Sequence, residues 1–422
     1  MRFAFLVHFV WACLVITLLT ATTFGEEPAR SPLDRAFESA KKVNLMVVAV
    51  FVKADDADCE DYVTDTLNDR EVKAWLGKNA VLCVLNSDAN KQDAAHYFVS
   101  SFPTTLFVNA DKQVLGRIER HCGANWFVEQ ATEIADGNTD LAKARKAFAD
   151  SPDSVDARYS LARELADQAV FREALEHYLW LFDHVLEKNR AYVGVRLSFM
   201  LSGIIEIGKH YPKALEELKK RRDAAEAPLL EGKGSFEQAM DFVALNRELH
   251  ELDRTLTAYL KLKANPKVSK QVVAYLGEAS ADLLREQKKY AEAREAIGDL
   301  EAQFRSALQV FDFLGTRKEE DEELRDMMEE SRREMLRSKV AILVEIACGC
   351  QDFEVAGKLA DAMFAKFKDG AGYGALITAA LRADGHKFAK TLRDAGLRNC
   401  TESKDQDAIT EAGKGIDEAK AK

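Results

Sequence analysis

The chain has 422 residues, too many for one ordinary hydrophobic core, so two or three folded units are expected. With 59 Lys and Arg against 70 Asp and Glu the formal charge is −11, which disfavours a general electrostatic grip on nucleic acid or anionic lipid. Only seven prolines and 47% apolar residues exclude a disordered chain.

At the N-terminus, Arg2 precedes an apolar run over residues 3–19 that is broken only by His8 and Thr17, and small or polar residues follow up to Gly25. One cation, an apolar stretch and a small-residue exit match a secretory signal over residues 1–25, with cleavage after Gly25 or Thr23. The chain is therefore expected to be exported, to a periplasm or the extracellular space. The alternative is an uncleaved membrane tether, since the run falls just short of the ~20 residues that span a bilayer. Cys13 leaves with a cleaved signal. The other cysteines, Cys59, Cys83, Cys122, Cys348, Cys350 and Cys400, are scattered over a length that needs no staples, and spacing alone assigns no bridge among them.

Residues 33–42 have helical spacing, and residues 45–51 are a continuous apolar run that suits a central strand buried on both faces. Helical spacing returns over 58–76 with a polar break at Asn68-Asp69, and 80–85 is a second apolar strand in which Cys83 packs as a small hydrophobe. A βαβ unit is the simplest assembly of these three. A short helix over 92–100, strands over 104–108 and 114–120 around a turn at 109–112, and a helix over 125–135 complete the order βαβαββα. This predicts an α/β domain over residues 29–137.

That order, the segment Phe102-Pro103-Thr104-Thr105-Leu106-Phe107 and the Cys122-Gly123 pair together resemble the thioredoxin superfamily. The resemblance implies a cis peptide bond before Pro103, facing the redox motif; an ordinary trans turn is the alternative. Asn68-Asp69-Arg70-Glu71-Val72 resembles the S-D-P-E-V region of single-domain thioredoxin-like proteins, and counting back from it sets Cys59 at the resolving position and Asp56 where the attacking cysteine belongs. A dithiol oxidoreductase needs two sulfurs two residues apart, and Asp56-Ala57-Asp58-Cys59 supplies one. Carboxylates at Asp55, Asp56 and Asp58 oppose ionisation of Cys59 by like-charge repulsion. Three readings of Cys59 stay open: an inert remnant, half of a bridge with Cys122, or a single active thiol. The nearly contiguous acids lack the alternating spacing and turn glycine of a calcium loop, so they read as a helix-capping, solvated start, and no metal or cofactor is expected.

From residue 141 to 400 strand-like runs give way to amphipathic helices. A small residue beside an aromatic or leucine recurs at Ala174, Ala214, Thr255, Ala293 and Ala356, at intervals of 40, 41, 38 and 63 residues. Near-constant spacing predicts stacked helical hairpins, and the signature resembles a divergent tetratricopeptide repeat, an all-α solenoid. The long last interval contains residues 317–337, dense in Glu, Asp and Arg with Leu324, Met328 and Met335 on one stripe, and reads as a solvated connecting helix or an acidic docking surface. Cys348-Gly349-Cys350 falls at a hairpin bend, Gly370 to Gly374 reads as a turn between helices, and residues 401–422 read as a flexible tail.

The expected function is that of a non-catalytic module that binds proteins or peptides and not nucleic acid. Its peptide groove is expected around Asp56, Cys59, Phe102 and Pro103. The alternative is a single-cysteine thiol-disulfide exchange protein using Cys59, with Cys122 as resolver.

Overall fold

The computed structural model describes residues 31–316 and 321–418. The expected signal or tether lies outside the described residues. The chain divides into two compact units, the first running to Asp150 with Asp167–Val170 added, the second taking Ser151–Ala166 and everything from Phe171 onward.

The first unit is built on four strands, β1 (Met46–Val52), β2 (Ala80–Asn86), β3 (Thr104–Val108) and β4 (Val114–Ile118), in the order β2-β1-β3-β4. β1 pairs parallel with β2 and antiparallel with β3, and β3 is antiparallel to β4. The uninterrupted apolar run of β1 is explained by its central place, since Val47 to Phe51 are buried on both faces. β2 is an edge strand, so its apolar run is only half used: Cys83 and Leu85 are buried while Leu82 and Val84 are exposed. Helix α1 (Pro32–Val43) lays Leu33, Phe37 and Ala40 on one face of the sheet. It starts at Ser31, whose hydroxyl accepts from the Asp34 amide, and stops at Asn44 in the left-handed conformation.

The segment expected as one broken helix has three parts: α2 (Ala57–Asp61), a π-helical stretch (Tyr62–Leu67) and α3 (Arg70–Asn79), where Asp69 caps the restart. The wide π turn carries Tyr62 and Thr66 into the interior. Short α4 (Lys91–His96) places Ala94 in the core on the α1 face, while α5 (Ala124–Ala135) and α3 cover the other. α6 (Asp140–Asp150) also belongs to this unit.

The second unit is all helix. It comprises α7 (Val155–Asp167), α8 (Phe171–Lys188), a rod over Arg190–His210 that joins a 3₁₀ turn, α9 (Val193–Val195), a π-helical stretch (Arg196–Met200) and α10 (Leu201–His210), then α11 (Lys213–Leu230), α12 (Phe236–Glu248), α13 (Leu252–Leu262), α14 (Lys270–Glu286) and α15 (Tyr290–Ile297). After these come α16 (Leu300–Leu314), α17 (Glu322–Gly349), α18 (Phe353–Phe364), α19 (Gly370–Arg382), α20 (His386–Asn399) and α21 (Ser403–Glu418). Among the described residues the rod over Arg190–His210 alone is long and apolar enough to cross a membrane. A buried core helix passes the same test, and Met200, Leu201, Ile204 and Ile207 are buried here.

The five small-residue anchors, Ala174, Ala214, Thr255, Ala293 and Ala356, are all fully buried near the start of α8, α11, α13, α15 and α18. A second periodicity was invisible in the residue types. Ala169, His250, Lys288, Gln351 and Asp384 are left-handed, and each stands two residues before the second helix of a hairpin. At four of these bends the next amide closes back on a carbonyl five residues earlier, Glu251 on Asn246, Lys289 on Leu284, Asp352 on Ala347 and Gly385 on Ala380. The fourth of these reveals a further hairpin, α19 with α20, whose buried Ala389 lies 33 residues after Ala356. The 63-residue interval holds an additional helix, α16, and a lengthened α17.

Two expectations are overturned. Gly370 to Gly374 is not a turn but the first turns of α19, where a Cβ on Gly370 would stand 2.4 Å from the Asp405 Cα, so the glycines serve close helix approach. The expected flexible tail is helix α21 as far as Glu418, held by buried Ile409 and Ile416, which stand seven residues apart on one face.

Candidate functional site

Register decides where the site forms. Phe51 of β1 pairs with Thr104 of β3, and Thr105 pairs with Ile118 of β4. The segments after β1, before β3 and after β4 therefore emerge at the same end of neighbouring strands. They carry Asp56 and Cys59, Phe102 and Pro103, and His121 and Cys122 respectively.

Asp56 is the N-cap of α2, its Oδ1 accepting the Cys59 amide at 2.9 Å. That hydrogen bond is the main reason its carboxyl titrates below the usual range. Asp55 before it is left-handed, which turns the chain into the helix. Cys59 is buried, and its Sγ accepts the Lys53 amide at 3.4 Å. Burial pushes the thiol above its ordinary value, and the carboxylates of Asp56 and Asp58 push the same way by a smaller amount. The repulsion read from the sequence is present but comes second to desolvation.

The Phe102–Pro103 peptide is cis. Pro103 is buried and Phe102 half-buried against the α1 face of the sheet. Thr104 Oγ1 ties the loop by donating to the Ser101 carbonyl at 2.7 Å. Among the described residues no hydrogen bond engages the Phe102 amide or carbonyl.

Sequence reasoning missed the polar floor beneath these loops. The Tyr62 hydroxyl lies 2.8 Å from Thr105 Oγ1, with both residues buried, and burial holds Tyr62 far above its ordinary range. Thr66 Oγ1 donates to the Cys122 carbonyl at 2.5 Å, and the His121 ring meets Tyr62 edge-on. The available signal was spacing, since Tyr62 and Thr66 follow Cys59 by three and seven residues on one helical face. Cys122 is half-buried, and burial raises its thiol while hydrogen bonding to Tyr62 and the charge of Arg120 pull it back.

Chemically the site is a set of hydroxyls and a cap, with the Cys59 and Cys122 thiols both held above their ordinary value by burial. The six described cysteines are unbridged, Cys59 and Cys122 included. Cys83 is buried in β2, and Cys348 at the α17 bend is pushed up to about 12 by burial. Among the described residues no three His, Cys, Asp or Glu side chains converge as metal ligands, the acids around Asp56 included.

Two of the grooves in the helical unit lie among its packed hairpins. One, of about 560 Å³, opens between α13, α14 and α15 beside Tyr259, Lys263, Lys270 and Glu295. The other, of about 600 Å³, is floored by alanines of α17, α19 and α21 and ends at Arg285, Glu345 and Arg382. Buried Glu345 accepts from Arg285 Nη1 at 3.0 Å.

No protein-family model matches the chain, and no curated protein does. Among solved structures the chain is similar to a DsbH oxidoreductase, at 19% identity over 24% of this chain and 81% of that one, with a TM-score of 0.23.

Proposed function

We propose that this chain is an exported, non-catalytic protein- or peptide-binding module, with a thioredoxin-like unit followed by tetratricopeptide-like helical hairpins. The observation that carries the reading is the pairing at the start of α2. A carboxylate caps the helix where an attacking thiolate would be required, and the remaining sulfur is buried, shifted by that burial away from ionisation, and hydrogen-bonded to a backbone amide. The half-buried Phe102 ring and its unengaged backbone, on a loop that leaves the same sheet end as the Asp56 segment, form a short ledge suited to an extended peptide. The grooves of the helical unit supply further concave surface of the kind stacked hairpins use for polypeptide. Export is supported by the charge and apolar order of residues 2–25.

The test is a disulfide-reductase and thiol-trapping assay on the unaltered chain, Cys59→Ser and Cys122→Ser, run beside binding of an extended-peptide array. The reading expects no turnover above background in any of the three, and array binding that survives Cys59→Ser but weakens in Phe102→Ala. Rapid turnover abolished by Cys59→Ser overturns it in favour of single-cysteine exchange.

A further inference from the structure

Helix α17 is two different helices joined end to end. From Leu336 onward it buries Leu336, Val340, Leu343 and Val344 in the core of the helical unit, whereas no residue from Asp321 to Met335 is buried. That outer half is nonetheless apolar along one stripe. Leu324, Met327 and Met335 are exposed and Met328 half-exposed, and Val310 and Phe313 of the adjoining α16 are exposed too. Together α16 and α17 enclose a groove of about 730 Å³ lined by Leu314, Met327, Met328 and Met335. The groove is a built feature. Arg332 lies over the Phe311 ring at 4.1 Å, donates to the Phe311 carbonyl at 3.1 Å, and occupies the space a side chain on Gly315 would fill.

Solitary exposed apolar residues are ordinary, but a stripe of them along one helix beside a groove marks an interaction surface. Methionine side chains are flexible and polarizable and fit varied apolar partners. Charge selects the partner. Residues 321–335 carry seven carboxylates against three arginines, and two of those arginines are turned inward, Arg332 onto Phe311 and Arg333 onto Glu329 and Phe367. The rim is acidic. A second copy of this hairpin would bring the same carboxylates against it, and anionic lipid would be repelled. The chain's own N-terminal run has Arg2 as its lone cation.

We infer that the groove between α16 and the outer half of α17 docks a basic amphipathic helix of a partner protein, its apolar residues against Leu314, Met328 and Met335 and its Lys or Arg flanks against Glu323 and Asp326. This surface uses none of the residues of the ledge around Phe102.

Fluorescence anisotropy of the full chain tests it, with a labelled leucine-lysine peptide of about five helical turns in amphipathic order. Two controls accompany it, the same pattern with glutamate for lysine and a scrambled leucine-lysine order. The ordered leucine-lysine peptide should bind at least roughly tenfold tighter than either control, and Met328→Lys with Met335→Lys should weaken it by roughly tenfold or more. Neither methionine is buried, so an unchanged far-UV spectrum is expected. Should that pair fail to fold, the surface reversal Glu323→Lys with Asp326→Lys reads the same loss. Equal binding of all three peptides, or indifference to both variant pairs, overturns the assignment. So does a concentration-dependent dimer in sedimentation that Met328→Lys with Met335→Lys disperses, which gives the face to a second copy, or adsorption to phosphatidylglycerol vesicles lost in the same variant, which gives it to a membrane.

Discussion

The two units solve the problem of buried polarity with the same groups in different proportions. Among the described residues, the sheet unit buries mainly hydroxyls, Thr66, Ser87, Thr104 and Thr105, and one guanidinium, that of Arg117, which donates to the Gln168 and Tyr97 carbonyls, whereas the helical unit buries charge at several places, in Arg196, Arg222, Arg337 and Glu345. In the sheet, backbone pairing between strands fixes register, and a hydroxyl network such as Tyr62 with Thr105 needs only to be neutral and satisfied. Stacked helices have no backbone bonds between them. Here Arg196 crosses three elements, donating to the Phe182 carbonyl at 2.6 Å and to Asp241 with both terminal nitrogens, and Arg337 joins α17 to Asp369 before α19. The comparison teaches that, among the described residues, the helical unit relies on buried ionised groups at several crossings and the sheet unit at one, Arg117.

The sharpest way to break that contrast is Asp241→Ala. It strands the Arg196 guanidinium in the interior and should cost the helical unit about 3–5 kcal/mol in denaturant unfolding. A loss no greater than that of an ordinary surface change would show that the pair holds nothing. Acid provides the next test. Glu334 titrates below its ordinary value through hydrogen bonds from Arg337 and then Ser338; at Asp352 burial acts upward but is outweighed by Arg294 and the Val355 amide. Because their folded values are depressed, the stability they confer is complete above the ordinary 4.5 and 3.8 and disappears as pH falls below them. Hydrogen exchange followed by mass spectrometry between pH 7 and pH 3 should therefore show α17 and α18 losing protection before β1 and β3, whose unit has its depressed carboxylates, Asp34 and Asp56, at the starts of α1 and α2. Simultaneous loss in both units would erase the distinction.

In the sheet unit, Tyr62→Phe leaves Thr105 Oγ1 buried without its partner and should cost about 1–2 kcal/mol, less than Asp241→Ala, by the same unfolding measurement. The smallest effect is a gain. Gln351 holds a left-handed bend that glycine adopts without a Cβ penalty, so Gln351→Gly should raise stability by up to about 1 kcal/mol, visible as a higher thermal midpoint. A fall would mean that the Gln351 side chain contributes contacts that outweigh its backbone strain.

Much of this was legible beforehand. The apolar run of β1 announced a doubly covered strand, Pro103 and Cys122 marked loops that meet at one sheet end, and the buried anchors from Ala174 to Ala356 announced hairpins. Other features hid for identifiable reasons. The hairpin bends use Ala169, His250, Lys288, Gln351 and Asp384 where glycine would have signalled a stop. Helix α21 packs through Ile409, Ile416 and small residues, too sparse an apolar pattern to separate from a charged tail.

Residue order by itself determined the local periods, the exchange of a sulfur for a carboxylate at Asp56, and the change from alternating elements to repeated helices, because each depends on neighbours a few positions apart. Only tertiary structure decided that Cys59 is desolvated, that Tyr62 reaches Thr105 across 43 residues, and that half of α17 is left uncovered. Burial is a property of what distant segments place around a side chain, and no local pattern records it.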